Sequence, residues 1–270
     1  MQIINTMPKA MTIKEIVQET EQVKTFVLDG SIGAKPGQFV NVWIPRLDEK
    51  PFSVAMDTGL ELHLSIAAVG PFSNAMHELK VGDKVGVRGP FGTQFTCEKG
   101  QHLAFLAGGY GAAPLYFFAH QAVANACTVE FIVGARRKDL LLFTDRISKL
   151  KGVRLHTATN DGSDGYSGFN TDVLKKILGE EKIDCVYTVG PEIMMLKGMQ
   201  MAEELGIDAQ ISVERYMKCG FGVCGNCCVD GLGVPSCIEG PVMPLEKVKQ
   251  LKDFGNYHRD KLGKKQYYNT

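Results

Sequence analysis

The first hundred residues alternate between apolar and polar positions over short stretches. Between Leu60 and Ile66 every second residue is apolar, which is the period of a strand with one buried face. Earlier in the chain, a short apolar run over 39–44 comes soon after the turn signal Lys-Pro-Gly at 35–37. Short strands separated by such turns predict an antiparallel barrel or sandwich.

The pattern changes near residue 100, where apolar runs of strand length begin to alternate with helical patterns. Strands are predicted at 103–107, 129–133, 153–158, 186–189 and 210–213, and helices over 113–126, over 140–150, from about 171 and over 191–205. This alternation is typical of a doubly wound parallel sheet. Over 215–240 Cys and Gly dominate and neither period persists, so something other than a large apolar core must hold this segment.

These changes divide the chain into four parts. We predict an antiparallel β-barrel domain over 1–98 and a doubly wound α/β domain over 99–213. A small cysteine-rich module over 214–245 and a polar tail over 246–270 follow. The length of 270 residues suits two domains and a small module.

Charge and hydropathy exclude several classes of protein. Lys and Arg number 30 and Asp and Glu number 30, so a general binder of nucleic acid or of anionic membranes is not expected. The stretch 101–129 has no Asp, Glu, Lys or Arg, but glycines and Pro114 interrupt it, so it is not a spanning helix. The first five residues lack a basic segment followed by an apolar one, and a cytoplasmic location is expected.

Five of the eight cysteines fall within residues 219–237. Four of them have the spacing C-x4-C-x2-C-x9-C and are the candidate ligands: Cys219, Cys224, Cys227 and Cys237. The first three match the plant-type arrangement of [2Fe–2S] proteins, and nearby glycines leave room for backbone amides around a cluster. Four thiolates also suit structural zinc, although zinc sites more often use two C-x2-C pairs. Cys228 makes the register ambiguous, and we take it as a bystander because Cys227 preserves the x2 spacing.

A glycine-rich turn follows the first predicted parallel strand. Its candidate cofactor residues are Gly108, Gly109, Gly111, Ala112 and Pro114. Such a turn lets backbone N–H groups approach a diphosphate, but a tight turn without a ligand has the same composition. Two more candidates follow later strands, the turn Gly190-Pro191 and the polar loop at Asp161. Each could contact a cofactor or be a plain turn. Arg136 and Arg137 could meet a cofactor phosphate or simply be solvated.

Two stretches of the β-domain are flavin candidates. Lys50, Pro51, Phe52 and Ser53 begin a strand, where a cation could meet a diphosphate, a ring could pack on an isoalloxazine and a hydroxyl could bond flavin N5. Gly70, Phe72 and Ser73 precede a helical stretch whose N-terminus could bind phosphate. A plain strand entry and a plain helix start remain alternatives.

Taken in order, these motifs resemble the ferredoxin–NADP reductase superfamily. The stretch 50–53 is similar to its R-x-[YF]-S flavin motif, 70–73 to its second flavin motif, 108–114 to its nicotinamide turn and 190–191 to its C-G-P motif. With the cysteine cluster, the chain resembles the electron transfer subunits of NAD-dependent dihydroorotate dehydrogenase over residues 10–245. The resemblance adds Ser65, Ile66 and Ala67 to the flavin candidates.

The resemblance implies a fold and a function in pyrimidine biosynthesis. It implies a flavin-binding β-barrel with FAD, an NAD-binding α/β domain and a [2Fe–2S] module. The implied partner is an FMN-containing dihydroorotate dehydrogenase catalytic subunit, in a heterotetramer, from which electrons pass through the cluster and FAD to NAD⁺. No residue is a compelling general base, in keeping with substrate chemistry in another chain.

Two departures and three alternatives stand beside this prediction. Lys50 replaces the usual Arg and loses its bidentate fork, and Val189 replaces the cysteine of C-G-P. The chain could serve another partner, such as ferredoxin, a hydrogenase or a sulfur reductase. It could be a stand-alone flavin reductase, or a zinc-stabilised binding module without redox activity. The choice between NAD and NADP rests on the resemblance, which favours NAD.

Overall fold

The computed structural model describes residues 7–268. Residues 1–6, which include the segment expected to lack a signal sequence, and residues 269–270 of the predicted tail lie outside this range. None of the helices within 7–268 is both long and apolar enough to cross a membrane. The uncharged stretch 101–129 folds mainly as a buried strand followed by a helix.

Residues 9–91 form a seven-stranded antiparallel sheet with one helix. Its elements are β1 (Lys9–Gln18), β2 (Val23–Asp29), β3 (Phe39–Ile44), β4 (Asp48–Ser53), β5 (Met56–Asp57), β6 (Glu61–Ala67), α1 (Pro71–Glu78) and β7 (Lys84–Phe91). The strand order is β4-β3-β7-β1-β2-β6-β5. On β6 the apolar residues Leu62, Leu64 and Ile66 are fully buried, because alternate side chains of a strand point to one face. The predicted antiparallel β-domain is confirmed.

Residues 102–212 form a mostly parallel sheet with helices on both faces. Its elements are β8 (His102–Gly108), α2 (Ala112–Ala124), β9 (Thr128–Ala135), α3 (Thr144–Ile147), β10 (Val153–Thr159), β11 (Tyr166–Ser167), α4 (Asn170–Glu180), β12 (Cys185–Val189), α5 (Glu192–Glu204) and β13 (Asp208–Ser212). The order β11-β10-β9-β8-β12-β13 changes direction between β8 and β12. Ligands of such sheets bind outside the carboxyl ends of the strands at this point, so the fold itself selects the position of the site.

One predicted helix is wrong in extent. The helix expected over 140–150 is reduced to the four residues of α3. The preceding apolar residues Leu142 and Phe143 are buried in the core instead. Phe143 also adopts the left-handed backbone conformation, with φ of 62°, which prevents the helix from beginning earlier.

The C-terminal quarter is more ordered than its sequence suggests. It contains α6 (Ser236–Glu239), β14 (Val242–Pro244), α7 (Leu245–Val248), β15 (Tyr257–Arg259) and β16 (Lys265–Tyr267). β14 pairs antiparallel with β13 and extends the parallel sheet. β15 and β16 form a separate hairpin within the predicted tail. The boundaries at residues 98, 213 and 245 stay a prediction.

Candidate functional site

A cavity of about 780 Å³ lies at the point where the strand order of the parallel sheet changes direction. One wall comes from the carboxyl ends of β8, β9, β10 and β12, and the other from the β1–β2 turn and the end of β6. Four predicted cofactor residues line it: Ala67, Gly108, Gly109 and Pro191. A cavity of this size suits a cofactor-sized ligand.

Two glycine-containing turns cross at one side of this cavity. A Cβ atom on Gly111 would lie 2.3 Å from the Val189 carbonyl oxygen. A Cβ atom on Gly190, which has a φ of +150°, would lie 2.9 Å from Cα of Gly108. Gly111 and Gly190 must therefore lack side chains so that the two turns can pack against each other. Gly109 has open space beside it and borders the cavity, so it is the glycine of this turn that a ligand can approach.

Replacing Gly111 with alanine is expected to push the two turns apart. Both facing groups are backbone, so neither can rotate away, and overpacking of this kind costs about 1–3 kcal/mol. The matched control is Gly179→Ala, because Gly179 lies in α4 with nothing near its missing Cβ and alanine favours a helix. Chemical denaturation should show lower stability for G111A only. Equal stability of the two variants would show that the turns can separate freely.

The two flavin candidates of the β-domain meet through their aromatic rings. Phe52 on β4 stacks on Phe72 of α1, with ring centroids 5.9 Å apart and an interplanar angle of 29°. The Ser73 hydroxyl accepts the N–H groups of Val69 (2.9 Å) and Gly70 (3.0 Å) and closes the turn before α1. The structure thus brings stretches 50–53 and 70–73 together, although the two stacked rings are 20 positions apart in sequence.

The remaining flavin candidates are Lys50 on β4 and three residues of β6, and most of their side chains bond or pack within the β-domain. Lys50 forms an ion pair with Asp48 two residues earlier. The Ser65 hydroxyl is 2.8 Å from that of Thr25, and the Ile66 side chain is fully buried in the core. Of the three β6 candidates, only Ala67 lines the cavity. Their roles toward a flavin stay predictions.

Several residues around the cavity were missed in the sequence. Thr20, Gln22, Phe169, Asn170 and Lys197 all line it. The buried Asn170 amide donates to the carbonyl oxygen of Ala107 at 2.9 Å, which ties the start of α4 to the end of β8. A polar residue at the beginning of a predicted helix was the available signal, but its partner could not be identified without the fold.

The polar residues singled out after β9 and β10 are only partly at the cavity. Arg136 and Arg137 line it, and Arg137 also forms an ion pair with Asp139 at 2.8 Å. Asn160 lines the cavity as well. Its neighbour Asp161 is not among the lining residues and accepts the hydroxyl of Ser163 at 2.6 Å. Ala112 and Pro114 are buried in α2.

The four candidate cysteines stand as two pairs. The Cys224 N–H donates to the sulfur of Cys219 at 3.5 Å, and Cys227 and Cys237 pack together in one apolar cluster. Among residues 7–268, no group of three or more His, Cys, Asp or Glu side chains is arranged to hold a metal ion. A [2Fe–2S] cluster takes two protein ligands on each of two irons. The pairs therefore fit that group.

The surroundings favour thiolate sulfur at Cys219 and Cys227, whereas the Cys227 thiol and burial raise the pKa of Cys237. The Cys237 thiol lowers the pKa of Cys227 to about 6, against the opposing effect of burial. Burial raises the pKa of Cys219, but the N–H groups of residues 224, 221 and 223 outweigh it and lower that pKa to about 7. The Gly222 N–H also donates to the Cys237 sulfur at 3.3 Å. Thiolates are the metal-binding form of cysteine. By contrast, burial raises the pKa of Cys228.

The cysteine segment is held from two sides. Met217, Cys227 and Cys237 pack with Phe39 and Phe91 of the antiparallel sheet in one apolar cluster. On the other side, Arg215 forms a buried ionic group with Glu192 at the start of α5 and Asp253 in the tail. Arg215 Nη1 lies 2.7 Å from Glu192, and Arg215 Nε lies 2.7 Å from Asp253.

Comparisons with known proteins agree with this geometry. Residues 214–249 match the family described as the iron-sulfur cluster binding domain of dihydroorotate dehydrogenase B. A relative from Methanocaldococcus jannaschii is the probable dihydroorotate dehydrogenase B (NAD(+)), electron transfer subunit. It is 47% identical over 261 residues, which cover 97% of this chain and 99% of the relative.

Solved structures extend the similarity to the whole fold. A chain of the NADH-dependent reduced ferredoxin-NADP oxidoreductase superposes with a TM-score of 0.82 and 30% identity, covering 90% of each chain. A ferredoxin NADP+ reductase from Neisseria gonorrhoeae with bound FAD and NADP gives a TM-score of 0.62 at 19% identity. That match covers 73% of this chain and 91% of the reductase and bears on the fold alone.

Proposed function

Because this chain belongs to the family of electron transfer subunits of NAD-dependent dihydroorotate dehydrogenase B, we propose that it carries electrons from an FMN-containing catalytic subunit to NAD⁺. The observation that supports this most is one arrangement of three parts. Three features border the antiparallel sheet or its edge. They are the flavin candidates of β4, the cavity at the carboxyl ends of β8 and β12, and the cysteine pairs.

We infer that FAD and NAD bind at the junction of the two sheets. Phe52, Ser53 and Ser73 would hold and orient FAD, while Gly109, Pro191 and Arg136 would hold NAD. When bound, flavin supplies hydride exchange with nicotinamide and the ability to take two electrons and give them singly. The crossing of Gly111 and Gly190 keeps the two strand ends close, on the side of the cavity that Gly109 and Pro191 line. The Lys50–Asp48 ion pair leaves Lys50 a weaker phosphate ligand than the Arg of the family motif.

The cysteine pairs are the proposed ligands of a [2Fe–2S] cluster, which when bound supplies one-electron transfer. Cys227 and Cys237 are buried, Cys219 is half-buried and Cys224 is exposed. The pair containing Cys224 therefore faces outward. Beside it, Val223 is 76% exposed and Ile238 is 42% exposed. We propose that the catalytic subunit contacts this face in a cytoplasmic heterotetramer.

The test begins with protein purified without air, alone and together with the FMN catalytic subunit. We expect one FAD, two irons and two sulfides per chain, and NAD⁺ reduction by dihydroorotate only when both subunits are present. The chain alone should still pass electrons from NADH to a dye. A colourless protein with stoichiometric zinc would contradict the proposal. NAD⁺ reduction by reduced ferredoxin, with none by dihydroorotate and the catalytic subunit, would assign another electron donor.

A further inference from the structure

A nearly buried ion pair lies where the cysteine segment meets the antiparallel sheet. Arg88 on β7 donates to Glu49 on β4 through two bonds, Nε to Oε1 at 2.7 Å and Nη2 to Oε2 at 2.6 Å. The Arg88 side chain is 8% exposed and that of Glu49 is 26% exposed. This two-point geometry is specific to a guanidinium and a carboxylate.

The same guanidinium also contacts the cysteine loop. Its carbon lies 5.5 Å from the ring centroid of Phe91 on β7 and 5.5 Å from that of Phe221. Phe221 stands between Cys219 and Cys224 in the loop. A positive charge over two aromatic faces is attracted by both rings. Arg88 therefore joins its own strand, β4 and the cysteine loop through one side chain.

A second contact links the same surfaces. The fully buried Asn41 on β3 donates from Nδ2 to the carbonyl oxygen of Lys218, directly before Cys219, at 2.8 Å. In the sheet Asn41 pairs with Pro51 on one side and with Arg88 on the other. Pro51 belongs to the flavin candidate stretch, and Glu49 immediately precedes that stretch. The cysteine loop is thus bonded to β3, the strand that pairs directly with the one that would carry flavin.

Burial of charge at this place is not explained by stability. A buried ion pair contributes little compared with apolar residues of similar size, because removing two charges from water offsets most of their attraction. Phe39, Phe91 and Phe221 already supply apolar packing nearby. The ion pair therefore has a role that depends on its charges and that apolar side chains could not fill.

We propose that Arg88 and Glu49 are positioning residues that hold the cysteine loop against the flavin strand and balance the charge between the two redox centres. This inference rests on the proposed function. Reduction of a cluster adds one negative charge, so a lone cation nearby favours the reduced cluster and a lone anion disfavours it. Each residue of the pair cancels the effect of the other.

Two substitutions that break the same ion pair should have opposite effects. In the FAD- and iron-loaded complex at pH 8, Arg88→Met leaves Glu49 alone and should shift the reduction equilibrium of the cluster toward its oxidised form at least tenfold. Glu49→Gln leaves Arg88 alone and should shift the same equilibrium toward the reduced form at least tenfold. A tenfold change is 59 mV for one electron. The double variant should lie near the wild type. Redox titration followed by EPR and visible spectra measures all four.

Arg154→Met is the control, because Arg154 forms ion pairs with Glu130 and Glu181 on the parallel sheet and α4 side, away from the cysteine loop. It should shift nothing. If R88M fails to assemble a cluster, Glu49→Gln and Arg88→Lys test the proposal instead. Glu49→Gln should still favour the reduced cluster, and the reduction equilibrium of the cluster in Arg88→Lys should stay within threefold of wild type. Shifts of equal sign in R88M and E49Q, or none, would overturn the proposal. A wild-type complex without flavin or iron would overturn the proposed function itself.

Discussion

Cys227→Ser is expected to abolish the cluster and to reduce electron transfer between NADH and the catalytic subunit at least a hundredfold. Serine does not supply a thiolate, which is the ligand form of cysteine. Cys227 is 1% exposed and packs with Cys237 in one apolar cluster, so no other side chain can replace it there without moving the loop. FAD content and dye reduction by NADH should be retained.

The adjacent residue provides the control. Cys228→Ser changes the same chemical group one position later, but Cys228 points toward Gly225, with its sulfur 4.0 Å from the position of a Cβ there. Iron, sulfide and the visible spectrum should match the wild type in C228S and be lost in C227S. The reverse result would show that the ligand register is shifted by one residue. Retention of iron by both variants would contradict a four-cysteine site that includes Cys227.

Arg215→Met is expected to lower the free energy of unfolding by about 3–5 kcal/mol. The side chains of Arg215, Glu192 and Asp253 are 4%, 7% and 3% exposed. Removal of the cation leaves two carboxylates facing each other without their partner in a region that water reaches poorly. Glu192 Oε1 also accepts the N–H of Gly255 at 2.6 Å, so the tail should loosen with it.

A surface ion pair of similar geometry is the comparison for this variant. Arg137 bonds Asp139 through Nε and Nη2, but the two side chains are 55% and 58% exposed. Because water and salt screen such a pair, Arg137→Met should change stability by at most about 1 kcal/mol. Chemical denaturation of both variants, with limited proteolysis of the tail, measures the difference. Similar losses in the two variants would show that burial of the Arg215 group is not what stabilises this region.

Local patterns predicted the parts of this protein that depend on near neighbours in sequence. The alternation over 60–66 identified β6, because a strand exposes its faces with a period of two whatever it pairs with. The cysteine spacing identified the candidate ligands, because three of them lie on one loop. The apolar run at 103–107 and the glycines that follow it identified the end of β8 for the same reason.

Contacts between distant segments needed the tertiary structure. Gly111 and Gly190 are predicted from the sequence as cofactor-binding glycines, and only the fold shows that their missing side chains also make room for each other's turns. The expected helix over 140–150 was wrong because burial of Leu142 and Phe143 outweighed their local helical pattern. Propensity is a weak preference that tertiary packing readily overrides.

The sequence by itself therefore determined the class of the two large sheets and the candidate cluster ligands, since periodicity and spacing are local properties. Only the tertiary structure decided how these parts meet. Arg88 lies 133 positions before Phe221, and Asn41 lies 177 positions before Lys218, so no local pattern reveals either contact. Both arise because the strand order places β3, β4 and β7 side by side and the cysteine loop packs on them.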